Sequence, residues 1–192
     1  FDAEVHVQLL QESQKIKDSL REKVSASEGS SDLHDSDYCS CHTAQAQYRL
    51  PSTKSEMLHD APIAGIMYDK SLDPDIRSLR QTILYGLKGI SAYGHQAREL
   101  GYFSDQVDSF YITALESLTD DRLTVEELIR MTMRTGEAAI EVMKVLDEAN
   151  TSVYGNPSPH TVNVHIRKGP FIIVSGHDLK DLEMLLRQTE GT

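Results

Sequence analysis

At 192 residues, 39% hydrophobic and 26% charged, the chain is long enough for one domain, or for one domain and part of another. A formal charge of −11, from 30 acidic and 19 basic side chains, excludes a general nucleic-acid or anionic-membrane surface, which needs clustered Lys and Arg. Two cysteines exclude a disulfide framework, and no window approaches the roughly 20 apolar residues of a membrane span or the apolar core of a signal peptide, so a cytoplasmic protein is expected.

The chain opens on Phe1 inside a helical pattern, which residues 3–24 continue with Leu9, Leu10, Ile16, Leu20 and Val24 among Gln, Glu and Lys. From Ser25 the composition turns to Ser, Asp, His and Thr without a steady period. Only residues 61–67 give a short apolar run, a candidate local anchor. The whole of 25–72 is read as an irregular polar insertion, far longer than an ordinary connection.

Order returns at Asp73-Pro74, an N-cap followed by a proline at the first helical position. Ile76, Leu79, Ile83, Leu87 and Ile90 then recur every three or four residues, and Gly101 is placed to stop the helix. A second helix is expected from Ser104, with Val107, Phe110, Tyr111, Ala114 and Leu115 on one face. The third begins at a T-x-x-E capping box, Thr124 and Glu127, and runs through Ile129, Met133, Ala139, Val142, Met143 and Leu146. Met131, Met133 and Met143 fall at helical spacing and are expected in the core. Three consecutive helices with short connections predict an antiparallel bundle over 73–150.

After Asn150 the pattern changes. Tyr154-Gly155-Asn156-Pro157-Ser158-Pro159 reads as a turn, and Val162, Val164 and Ile166 alternate as in a strand. Phe171-Ile172-Ile173-Val174 is a continuous apolar run, as in a strand buried on both faces of a parallel sheet. Ser175-Gly176-His177-Asp178 turns the chain into a helix marked by Leu179, Leu182, Leu185 and Leu186. Residues 151–192 are therefore expected to open an α/β domain. A lone parallel strand has no neighbour for its backbone groups, so the chain is expected to be cut from a longer protein, with a ragged start at Phe1 and a turn at Glu190-Gly191-Thr192.

Two places could carry chemistry. His34, Cys39, Cys41 and His42 could supply four N/S ligands to zinc, but C-x-C lacks the spacing of zinc knuckles, and a solvated loop with two free thiols is favoured. An iron–sulfur cluster held wholly by this chain fails on the count, since two cysteines are present and about four are usual. No G-x-G-x-x-G follows a strand. The turn before the last helix lies where open α/β sheets bind ligands, so His177 and Asp178 could line a site; equally, Asp178 could cap that helix.

Tyr85-Gly86-Leu87-Lys88-Gly89-Ile90, Ala92-Tyr93 and Ala97-Arg98 resemble a helix of the hybrid-cluster proteins, also called hydroxylamine reductases or prismane proteins. The resemblance continues through Val142-Met143, Leu146-Asp147, residues 154–159 and Val162-Asn163-Val164. It is densest at Ile173-Val174-Ser175-Gly176-His177-Asp178-Leu179-Lys180-Asp181-Leu182 and at Gln188-Thr189-Glu190-Gly191-Thr192. It covers residues 76–192 and leaves Phe1–Asp75 unplaced.

The resemblance implies a helical domain of three-helix bundles followed by Rossmann-like α/β domains. It also implies a cubane iron–sulfur cluster and a hybrid Fe–S–O cluster held elsewhere in the parent protein. The implied reaction is reduction of hydroxylamine to ammonia, or of nitric oxide to nitrous oxide, with electrons from a redox partner. No ligand role passes to Cys39, Cys41 or His177, and this chain is expected to be scaffold. The alternatives are a relative of the carbon monoxide dehydrogenases and a cluster-free helical interaction module.

Overall fold

The computed structural model describes residues 2–28, 48–62, 65, 70–176 and 178–191. The chain is mainly helical, with α1 (Ala3–Glu28), α2 (Lys54–Asp60), α3 (Pro74–Glu99), α4 (Asp105–Ser117), α5 (Val125–Tyr154) and α6 (Leu179–Gln188), and no strand occurs among the described residues. It divides into two compact units, Phe1–Gln81 with Glu116–Leu128, and Thr82–Leu115 with Ile129–Thr192.

In the first unit, α1 is held mainly by polar contacts. Lys17 Nζ donates to the Tyr48 carbonyl, Arg49 pairs with Asp18, and the Leu50 N–H donates to Gln14 Oε1 at 3.2 Å. Burial beside Arg21 and Arg49 lowers the Lys17 pKa. The apolar residues expected to pack, Leu9, Leu10, Ile16 and Leu20, are exposed instead, because the partner segment 48–54 lies along the polar face.

The expectation of irregular structure over 25–72 also needs correction. Helix α2 forms there on a second T-x-x-E box: the Thr53 N–H donates to Glu56 Oε2 at 3.2 Å, the Glu56 N–H donates back to Thr53 Oγ1 at 3.3 Å, and Met57 is buried. Of the short apolar run over 61–67, Ile63, Ala64, Ile66 and Met67 lie outside the described residues.

The same unit contains the first turns of α3 and the α4–α5 connection. Asp73 caps α3 as expected, its Oδ1 accepting from the Asp75 N–H at 2.7 Å. The Arg80 side chain is only 3% exposed. Its guanidinium donates to Asp121 Oδ1 at 3.0 Å and to the Asp120 carbonyl at 2.8 Å, while Asp120 also binds Arg122 at 2.9 Å. These bonds fix the connection that leads into the Thr124–Glu127 capping box, which forms as expected (Thr124 N–H to Glu127 Oε2, 2.8 Å).

The second unit holds the predicted antiparallel three-helix bundle. Ile83, Leu87, Ile90 and Ala97 of α3, Val107, Phe110 and Ala114 of α4, and Ala138, Val142 and Ala149 of α5 are buried. Ser91 donates to Tyr111 at 2.8 Å and Arg98 pairs with Asp108, so α3 and α4 run antiparallel. Gly86 approaches Thr135 so closely that an added Cβ would lie 2.6 Å from Thr135 Cγ2, and Gly94 faces Val142. That pairing makes α3 and α5 parallel. Gly101 follows the end of α3, its N–H donating to the Arg98 carbonyl at 2.9 Å.

Two expectations fail here. Met133 is 67% exposed, and Ile129, Met143 and Leu115 are exposed too, whereas Met131 is half-buried. A three-helix bundle covers one face of α5, the Thr135–Ala138–Val142 face, and helical spacing places 129, 133 and 143 on the opposite one. Helix α5 also runs to Tyr154, past the composition change at Asn150.

Beyond it, residues 161–166 and 171–174 form no strand; Ile166 is 96% exposed, and Phe171, Ile172, Ile173 and Val174 are exposed as well. A strand exists only by pairing, and the described residues supply no neighbouring strand. Helix α6 forms where expected but buries none of its residues.

Candidate functional site

The turn into α6 carries the residues singled out by sequence. Gly176 has φ +142°, a conformation that residues with a Cβ rarely adopt, and it stands two residues before Asp178. Asp178 is the N-cap: Oδ1 accepts from the Lys180 N–H at 2.9 Å and from the Asp181 N–H at 3.1 Å. Of the two roles open to Asp178, capping is the one this geometry displays. His177 lies outside the described residues, as do His34, Cys39, Cys41 and His42. Among the described residues, no group of three or more His, Cys, Asp or Glu could hold a metal ion.

What fastens α6 is a polar clamp between residues 29 apart in sequence. Tyr154, the last residue of α5, donates its hydroxyl to Glu183 Oε2 at 2.9 Å. Lys180 reaches the same oxygen at 3.2 Å, and Arg187 pairs with Oε1. The Tyr154 hydrogen bond, followed by that of Lys180, holds the Glu183 carboxyl below the usual range. Desolvation and the Glu183 bond raise the Tyr154 phenol. The arrangement positions a helix; it contains no nucleophile with a base beside it.

A second feature is an open groove between α4 and α5, about 490 Å³ in volume. Gln106 and Ser109 border it from α4, and Arg134, Glu137 and Glu141 from α5, with Phe110 at its floor. The Arg134 guanidinium lies 5.3 Å from the Phe110 ring centroid, a cation–π contact. Sequence reasoning missed this groove, the Tyr154–Glu183 clamp and the Arg80–Asp121 pair. Each joins residues distant in the chain, and no local spacing announces them.

The sequence model of the Prismane/CO dehydrogenase family matches residues 1–192. A hydroxylamine reductase of Clostridium perfringens is 40% identical over 192 residues, all of this chain and 33% of that protein. Those of Caldanaerobacter subterraneus and Chlorobaculum tepidum are 47% identical over 137 residues and 42% over 174. These alignments cover 69% and 91% of this chain, and 25% and 30% of the relatives. The likeness therefore extends over Phe1–Asp75, which the residue-level resemblance left unplaced. The chain spans about a third of the length of the curated relatives it matches. No helix among the described residues is long and apolar enough to cross a membrane.

Proposed function

The chain belongs to the Prismane/CO dehydrogenase family, and from that premise we propose that it is scaffold from an iron–sulfur hydroxylamine reductase. The observation that carries this reading is the 40% identity to a hydroxylamine reductase along the whole chain. The parent reaction is NH2OH + 2 H⁺ + 2 e⁻ → NH3 + H2O, or 2 NO + 2 H⁺ + 2 e⁻ → N2O + H2O. Both need electrons that acid–base side chains cannot supply; a cubane cluster and a hybrid Fe–S–O cluster, held by parts of the parent protein outside this chain, would supply that redox chemistry, with a redox partner as the source of electrons.

The described residues offer no donor set that fits either cluster, so no catalytic step is assigned to them. Their role is support. The bundle of α3, α4 and α5 gives a packed body, and the Tyr154–Glu183 clamp sets α6 against the end of α5. In this proposal residues 1–72 form an amino-terminal helix with its insertion, 73–150 the bundle, and 151–192 the opening of a Rossmann-like domain. His177 and Asp178 border the ligand side of that domain, and the parent protein is cytoplasmic, acting on a small molecule without nucleic acid or membrane.

The test is anaerobic turnover by the full-length gene product after iron–sulfide reconstitution, with reduced viologen as electron donor and hydroxylamine as acceptor. Viologen oxidation that depends on hydroxylamine is expected. A full-length product that carries clusters and oxidises carbon monoxide instead would favour the carbon monoxide dehydrogenase reading. One that binds no iron would favour the cluster-free interaction module. The 192-residue chain alone is expected to stay colourless after the same reconstitution.

A further inference from the structure

Helix α5 is apolar on two opposite faces, and the bundle uses one of them. The other carries Ile129, Met133, Gly136, Ile140 and Met143, at alternating steps of four and three residues, and all five are exposed. That spacing is the seam of a coiled coil, a row onto which a second helix packs. Gly136 at its centre leaves a hole rimmed by Met133, Glu137 and Ile140, into which a large aliphatic side chain can insert. Arg130, Glu137 and Lys144 run along one edge at seven-residue intervals, so the edge alternates positive, negative, positive.

The charge order gives a parallel second copy nothing to pair with. A parallel pair sets Glu137 against Thr132 and Lys144 against Ala139, with no complementary charge. Four side chains also bury far less than the roughly 1,200 Å² at the low end of stable interfaces. The relatives meanwhile carry about two thirds of their length outside the matched region.

We infer that this face is the seat of an amphipathic helix from the part of the parent polypeptide outside this chain. The helix presents apolar residues at the same spacing and an acid–base–acid edge against Arg130, Glu137 and Lys144. The inference rests on the reading of the chain as one third of a longer enzyme.

Carbene footprinting with a diazirine reagent, read by mass spectrometry, tests it on the 192-residue chain and on the full-length gene product. Labelling of residues 129–143 is expected to fall at least fivefold in the full-length protein. The variant Ile140→Lys is expected to leave the melting midpoint of the 192-residue chain unchanged and to lower that of the full-length protein. Equal labelling in both proteins overturns the inference. So does protection that appears in the 192-residue chain alone as its concentration rises, which would mark a self-association face. Hydroxylamine turnover, measured on the same full-length preparation, separates the two readings: turnover with a fully labelled face sinks this inference alone, whereas protection without turnover sinks only the assignment as a reductase.

Discussion

The bundle of α3, α4 and α5 and the segment 155–176 carry equally plain sequence patterns, yet only the bundle realises its own. Ile83, Leu87 and Ile90 recur at helical spacing and are buried. Val162, Val164 and Ile166 alternate as cleanly, and Phe171–Val174 is as apolar a run as the chain contains, yet all of these side chains are exposed. The difference is where the backbone finds its partners. A helix closes its hydrogen bonds within itself and needs only an apolar surface to lean on. A strand needs a second strand for every N–H and C=O.

The largest expected effect contrasts these regions directly. Leu87→Ala, at a fully buried position, should destabilise the chain by about 2–5 kcal/mol, while Ile173→Ala should change stability by less than about 0.5 kcal/mol. Urea unfolding of both variants checks this, and a large cost at Ile173 would show that the run packs after all.

Next comes the α3–α5 crossing. Gly86→Ala drives a methyl against Thr135 Cγ2, and overpacking typically costs about 1–3 kcal/mol against the roughly 1 kcal/mol that alanine adds to helix propensity. Gly86→Ala combined with Thr135→Ser exchanges one methyl for another and should restore or exceed the original stability. Loss of equal size in both variants would place the strain elsewhere.

Smaller effects concern the clamp. Tyr154→Phe should speed amide exchange across α6 while leaving the Leu87 region unchanged, since Tyr154 and Glu183 hold only that helix. The clamp should also respond to pH. Glu183 is depressed in the folded state, so its contribution is complete above the ordinary glutamate pKa of about 4.3 and is lost as pH falls through the depressed value. Tyr154 is raised, so its contribution holds below about pH 10 and is lost as pH climbs through its elevated value. Protection factors in α6, corrected for the intrinsic pH dependence of amide exchange, should stay flat from about pH 7 to 5 and fall only in acid below the ordinary glutamate range. A fall near neutrality would point to a different group.

The helix starts were legible because their determinants are local. Asp73-Pro74, Ser104 and Thr124-x-x-Glu127 each cap the helix that follows. The same signature at Thr53-x-x-Glu56 went unread only because it sits in a polar stretch with a single buried residue, Met57, behind it. At the candidate site, the Asp178 cap was readable from residues two and three positions away. The Tyr154–Glu183 bond and the α4–α5 groove join side chains from different helices and leave no trace in spacing.

Sequence by itself determined where α1 and α3 to α6 begin, that the chain is mainly helical, and which family the residues from Ile76 onward resemble. Each follows from neighbours within about one turn or from identity at fixed positions. Tertiary structure alone decided which of the two apolar faces of α5 enters the core, leaving Met133 and Ile140 outside. It also decided that Arg80 binds the α4–α5 connection and that α6 is held by charge and hydrogen bonds without burying a side chain. Periodicity states that a face is apolar; only the partner packed against it settles which face is covered.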